Sequence, residues 1–114
     1  PFILALADID NFASINSMYG HLCGDAVLKQ VGELIGSEIR KGDIVCRCTG
    51  DKYAIIFRNT SDLKAIYNRV EAIRSKTCET VIHSEAALGG ISCSFGLASF
   101  YDCDAVQDYQ AVVD

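Results

Sequence analysis

The opening run Phe2-Ile3-Leu4-Ala5-Leu6-Ala7 is apolar without interruption and stops on a carboxylate, Asp8. Apolar side chains on both faces suit a central strand covered on both sides, so the chain starts in the middle of a sheet. Two further apolar stretches, Ile44 to Cys48 and Tyr53 to Phe57, flank the turn Thr49-Gly50-Asp51-Lys52 and read as a hairpin.

The remaining segments fit around these strands. After a short polar segment, Asp25 is placed to cap a helix whose apolar positions Val27, Leu28, Val31, Leu34, Ile35 and Ile39 recur every three or four residues. Arg40-Lys41-Gly42 ends it, with basic residues at the negative helix terminus and a glycine for the cap. Asn59 to Asp62 supplies caps for a second helix marked by Leu63, Ile66, Tyr67, Val70 and Ile73. An irregular stretch holding Gly89-Gly90 leads to the alternation Ile91, Cys93, Phe95, Leu97, a strand with one buried face. The segment from Asp104 to Asp114 reads as a helix. The order strand, helix, hairpin, helix, strand, helix predicts an α/β (α+β) sandwich with a mostly antiparallel central sheet flanked by helices.

Composition narrows the possible partners. The 114 residues are half apolar, with one Pro and nine Gly, which predicts a single domain over 1–114 with no repeat or linker. No apolar stretch reaches the roughly 18 to 20 residues that span a bilayer, and no basic leader precedes the first strand. The expectation is a cytoplasmic domain without membrane contact of its own, even if the parent is membrane-anchored. A net charge of −5 argues against nucleic acid as a partner. The six cysteines form no CxxC pair, and four fall in or beside apolar patterns, so reduced and mostly buried thiols are expected.

Asp8 and Asp51 carry the chemistry. A carboxylate ending a buried strand beside another on a hairpin tip suits Mg²⁺ (or Mn²⁺) held against a nucleotide triphosphate, because hard cations take a few protein oxygens and share the rest with phosphate and water. Each residue also has a plainer reading: Asp25 as a helix cap, Asp51 as a solvated turn residue, and Arg40 with Asp43 as a helix stop and a strand start.

The blocks Asp8-Ile9-Asp10-Asn11-Phe12, Asn16, Tyr19-Gly20-His21 and Gly24-Asp25, followed by Thr49-Gly50-Asp51-Lys52-Tyr53 and Ser94-Phe95-Gly96-Leu97-Ala98, resemble GGDEF domains, the diguanylate cyclases of cyclic di-GMP signalling. The order and register hold from about Leu4 to Ala98, which is far more specific than a lone motif. The resemblance implies a fold like the palm of polymerases and nucleotidyl cyclases, in which two facing domains condense two GTP molecules with metal assistance. It also implies that the chain is a fragment lacking the family's first helix and its last helix and strand. On matching positions, Asp8, Asp51 and the Ile9 carbonyl would hold metal, Asp51 would be catalytic, and Asn16 and Asp25 would read guanine.

Several positions depart from that pattern. Thr49 stands for a glycine and narrows the approach to the turn, Ala13 stands for a phosphate-holding lysine, and Lys52 stands for a glutamate, reversing a charge beside the metal site. Arg40 and Asp43 match the R-x-x-D inhibitory site that binds cyclic di-GMP in many family members. A salt bridge between them within the fold would return both to a helix terminus. Three functions stay open: a catalytically impaired module that binds GTP or cyclic di-GMP and regulates a neighbouring domain, a cyclase active in its parent as a homodimer, and a ligand-free dimerisation module. The substitutions favour the first.

Overall fold

The computed structural model describes residues 1–79 and 91–100 in full, and 106–112 as backbone. Its elements are β1 (Phe2–Ile9), α1 (Phe12–Tyr19), α2 (His21–Glu38), β2 (Ile44–Arg47), β3 (Lys52–Arg58), α3 (Leu63–Glu79), β4 (Cys93–Phe100) and β5 (Val106–Val112). The strands form one sheet in the order β2-β3-β1-β4-β5, and every neighbouring pair is antiparallel. β1 is therefore central, as its apolar run predicts.

The core lies on one face of that sheet. Ile3, Ala5, Ala7 and Ile9 of β1 point into it beside Tyr53, Ile55 and Phe57 of β3 and Cys93, Phe95 and Leu97 of β4. Val27, Leu28, Val31 and Ile35 of α2 close it on one side and Ile66, Val70 and Ile73 of α3 on the other. Both helices thus bury most of the stripe expected of them; Leu34 stays out of the core, and Ile39, just past the end of α2, packs against it only in part, as do Leu63 and Tyr67 of α3. Tyr53 locks α2 to the sheet: its hydroxyl donates to the Leu28 carbonyl. Gly32 makes room for the ring, since a Cβ there would come within 3.2 Å of Tyr53 Cε1. Burial pushes the Tyr53 hydroxyl up to about 12.

The opposite face corrects the reading of β1 as covered on both sides. Burial alternates along the strand, and Leu6 is 54% exposed. An antiparallel sheet needs only one covered face, and the apolar residues on the other shield one another in part: the Phe2 and Phe100 rings stack 4.8 Å apart.

Other expectations need correction. The polar segment after β1 is a helix, α1, which eight residues in isolation would not sustain. Its Phe12 and Ile15, three apart, pack against the core, and the helix leans on α2. Asp25 does not cap α2, because that helix starts at His21 and places Asp25 inside it on an exposed position. Gly42 is not the helix cap either. It takes φ 95° in a turn closed by the Asp43 amide donating to the Arg40 carbonyl at 3.0 Å. The segment expected as a final helix contains β5, whose backbone pairs with β4; the open edge of β4 offers a row of donors and acceptors that outweighs a weak local preference.

The thiols are not mostly buried. Cys23 and Cys93 are, whereas Cys46 on the edge strand, Cys48 in the hairpin turn and Cys78 near the end of α3 are exposed. Cys103 and Gly89-Gly90 lie outside the described residues. Among the described residues, no helix is long and apolar enough to cross a membrane. Asp62 does cap α3, accepting the Ala65 amide at 3.1 Å.

Candidate functional site

The end of β1 and the tip of the β2–β3 hairpin are fastened together by the backbone. The Ile9 amide donates to the Asp51 carbonyl at 3.2 Å, the Cys48 amide to the Lys52 carbonyl at 2.8 Å and the Lys52 amide to the Thr49 carbonyl at 3.1 Å. Gly50 takes φ 58°, a left-handed turn position that suits glycine. These bonds bring Asp51 to the end of β1, where register sets Asp8 opposite Lys52 on one side and Ser94 on the other.

Asp8 and Asp51 converge. The Lys52 ammonium lies 3.6 Å from Asp8 Oδ2 and 3.6 Å from Asp51 Oδ1, so those oxygens are at most twice that distance apart. Burial pushes the Asp8 carboxyl up, and the adjacent Asp51 carboxylate pushes it further, while Lys52 acts in the opposite direction. Two adjacent carboxylates form a natural cation site, and their oxygens are hard ligands of the kind Mg²⁺ and Mn²⁺ prefer. Among the described residues, no group of three His, Cys, Asp or Glu side chains could hold a metal. The donor set is thus two carboxylates, with backbone, phosphate and water oxygens to complete it. The Ile9 side chain belongs to the core, so only its carbonyl is available to that set.

Asp10 is excluded from the pair by its own partners. Ser92 Oγ donates to Asp10 Oδ2 and Ser94 Oγ to Asp10 Oδ1, each at 2.7 Å, and the Asp10 amide donates to the Ser92 carbonyl at 2.9 Å. Sequence reasoning missed this clamp. The serines are two residues apart and so share a face, but only the β1–β4 register shows that Asp10 lies across from them.

Asn16 lies on α1 with its Oδ1 buried and without a hydrogen-bond donor among the described residues. Gly24 of α2 makes that position possible: a Cβ there would fall 1.8 Å from Asn16 Oδ1 and 3.3 Å from Phe12 Cζ. A buried carbonyl oxygen without a donor is costly unless a ligand supplies one. Asp25 follows Gly24 and lines a separate cleft of about 460 Å³ with Leu28, Lys29, Val45 and Tyr53. The structure therefore sets Asn16 beside Gly24, while Asp25 borders the neighbouring cleft.

Arg40 and Asp43 are bound to one another. Asp43 Oδ2 accepts Arg40 Nε and the Arg40 amide, both at 3.1 Å, and Oδ1 accepts Arg40 Nη2 at 3.3 Å and the Arg58 amide at 3.1 Å. Arg40 Nη2 also donates to the Arg58 carbonyl at 3.0 Å. The Asp43 side chain is 2% exposed, against 45% for Arg40. Burial works to raise the Asp43 carboxyl, but the Arg40 guanidinium and the two amides together hold it below the usual range. The pair thus clamps the end of α2 to β3, beside a cleft of about 260 Å³ that Lys41 and Asn59 also line.

The chain matches the family model described as "Diguanylate cyclase, GGDEF domain" over residues 1–114. It is 38% identical over 95 residues to diguanylate cyclase DgcS of Shewanella oneidensis, covering 83% of this chain and 30% of that protein. It is 33% identical over 98 residues to diguanylate cyclase DgcP of Pseudomonas aeruginosa, covering 86% of this chain and 14% of that protein. The chain therefore spans less than a third of the length of these curated relatives. The crystal structure of the GGDEF domain of DgcB from Caulobacter crescentus in complex with c-di-GMP superposes with a TM-score of 0.75 at 30% identity, over 85% of this chain and 58% of that one.

Proposed function

The chain belongs to the GGDEF family, and from that premise we infer that it is a cytoplasmic, catalytically impaired signalling domain that binds GTP or cyclic di-GMP and regulates a neighbouring domain or a second copy of itself. The observation that carries the reading is that the Asp8 and Asp51 carboxylates lie close together at the end of the central strand, both 3.6 Å from the Lys52 ammonium.

In this reading Asp8, Asp51 and the Ile9 carbonyl hold Mg²⁺ or Mn²⁺. Bound there, the ion would polarise a phosphoryl oxygen. The carboxylate of Asp51, whose backbone carbonyl accepts the Ile9 amide, would hold that ion at a fixed place, to which the phosphates would come. Asn16 reads guanine by offering its unpartnered carbonyl to a ring N–H, and Asp25, exposed on α2 next to Gly24, adds a carboxylate acceptor from the neighbouring cleft. Impairment follows from three residues. Ala13 supplies no ammonium to the phosphates, Thr49 adds bulk at the turn, and Lys52 draws on the carboxylates that the ion needs. Loss of positive contacts to a transferring phosphoryl group lowers the rate far more than the affinity. The Arg40–Asp43 bridge, with two backbone amides on the same carboxylate, returns that pair to a structural role at the end of α2, so the reading draws its support from the Asp8–Asp51 site and not from this pair.

The test is to incubate the full-length parent with GTP and Mg²⁺, assay for cyclic di-GMP, and titrate both nucleotides by calorimetry. Binding without product supports the reading. Multiple-turnover formation of cyclic di-GMP makes the domain an active cyclase, and failure to bind either nucleotide leaves a dimerisation module.

A further inference from the structure

Lys52 pairs with Asp8 in the β1–β3 ladder and follows Asp51 in the chain. Strand alternation therefore puts its side chain on the same face as Asp8, away from the core that holds Tyr53. From there one ammonium reaches both carboxylates at 3.6 Å. A divalent ion shared by the same two groups would sit about 2.1 to 2.6 Å from their oxygens, between them and within repulsive range of the ammonium.

We propose that Lys52 is a tethered cation that competes with divalent metal for the Asp8–Asp51 pair. The inference rests on the metal site proposed above and adds the residue that sets its affinity. Without Lys52 the two carboxylates would face one another uncompensated, and any cation would relieve them. With Lys52 the first positive charge is already supplied by the chain, at no cost in translational freedom. A free ion must then displace it, and the displaced ammonium regains only water. A triphosphate arriving with the ion changes the balance, because its oxygens give the released ammonium a new partner. The domain accordingly binds free metal weakly and metal with nucleotide together. Two half-exposed ion pairs weigh about one order of magnitude in an equilibrium constant, and that sets the size of the effect.

The experiment is a titration of nucleotide-free protein with Mn²⁺ alone, followed by calorimetry and by the electron paramagnetic resonance signal of the free ion. The variants are Lys52→Met, Lys52→Gln, Lys52→Met with Asp8→Asn, and Lys64→Met, which removes an exposed ammonium from α3. Lys52→Met and Lys52→Gln are expected to bind Mn²⁺ about tenfold more tightly than the wild type. Adding Asp8→Asn should abolish the gain, and Lys64→Met should leave the affinity unchanged. Equal affinity in wild type and both Lys52 variants overturns the inference while leaving the metal site intact. An equal gain in Lys64→Met overturns it too, because the effect would then be one of net charge. If neither the wild type nor the Lys52 variants bind Mn²⁺ at millimolar concentration, the metal-site reading falls and the inference falls with it.

Discussion

Replacing Asp43 by Ala is expected to cost about 2–3 kcal/mol of stability, far more than a surface carboxylate in a turn would suggest. The variant removes the acceptor of two backbone amides, Arg40 and Arg58, and of a guanidinium. Hydrogen bonds to a charged acceptor contribute roughly 1.5–3 kcal/mol when their partners are cut off from water. Arg40 is nearly half exposed and can be resolvated, so its share is discounted and the two amides carry most of the loss. Arg40→Ala should therefore cost only about 1 kcal/mol, because Asp43 keeps both amides. Urea denaturation of the two variants measures the difference, and in a domain of this size about 2–3 kcal/mol lowers the thermal midpoint by roughly 10–20 °C. The pH dependence has a definite sign. Asp43 is held below its ordinary value in the folded state, so its contribution is complete above the unfolded value of about 3.9 and is lost as pH falls through the folded one. The gap between wild type and Asp43→Ala should narrow in that acid window. A loss below about 0.5 kcal/mol, the range of ordinary surface changes, or an equal loss in Arg40→Ala, would refute the view of Asp43 as a structural clamp. The same result bears on ligand binding: weak cyclic di-GMP affinity in Asp43→Ala is no proof of contact, and Arg40→Ala is the cleaner probe.

Gly24→Ala should keep the fold, since the clash falls on the movable end of Asn16 and alanine is favoured over glycine inside a helix by about 1 kcal/mol. It should nevertheless weaken GTP binding about tenfold or more by displacing the Asn16 carbonyl; isothermal titration beside a melting curve checks both halves. Tyr53→Phe removes the hydrogen bond to the Leu28 carbonyl and is expected to cost about 1 kcal/mol by chemical denaturation. Asp8→Asn and Asp51→Asn should each abolish the difference between GTP affinity in Mg²⁺ and in EDTA while leaving the thermal midpoint within a few degrees; a Mg²⁺ effect that survives both substitutions would place the ion elsewhere.

The parts of the fold whose signals are local can be read from the chain alone. β1 and the β2–β3 hairpin carry apolar runs bounded by turn residues, which mark them as strands, whereas α3 and β4 carry periodic patterns that also state which face must be buried; for β1 only the packed sheet shows which face that is. The blocks from Asp8 to Asp25, the turn Thr49 to Tyr53 and the strand Ser94 to Ala98, in that order, were enough to identify the family to which the match over residues 1–114 assigns it. Other parts depend on neighbours distant in sequence and emerge only from the packed fold. α1 exists because Phe12 and Ile15 find the core and α2. β5 exists because β4 presents an edge to pair with. The same holds within the site. Reading Lys52 as a lost glutamate was possible from the sequence, but only the antiparallel register sets it opposite Asp8 and within reach of Asp51. Arg40 and Asp43 matched a ligand-binding motif at the right spacing, yet Arg58, fifteen residues beyond Asp43, supplies the amide that turns the aspartate inward. A spacing in sequence specifies which groups a turn or helix brings together; whether those groups face a ligand or satisfy one another is set by the strand packed beside them.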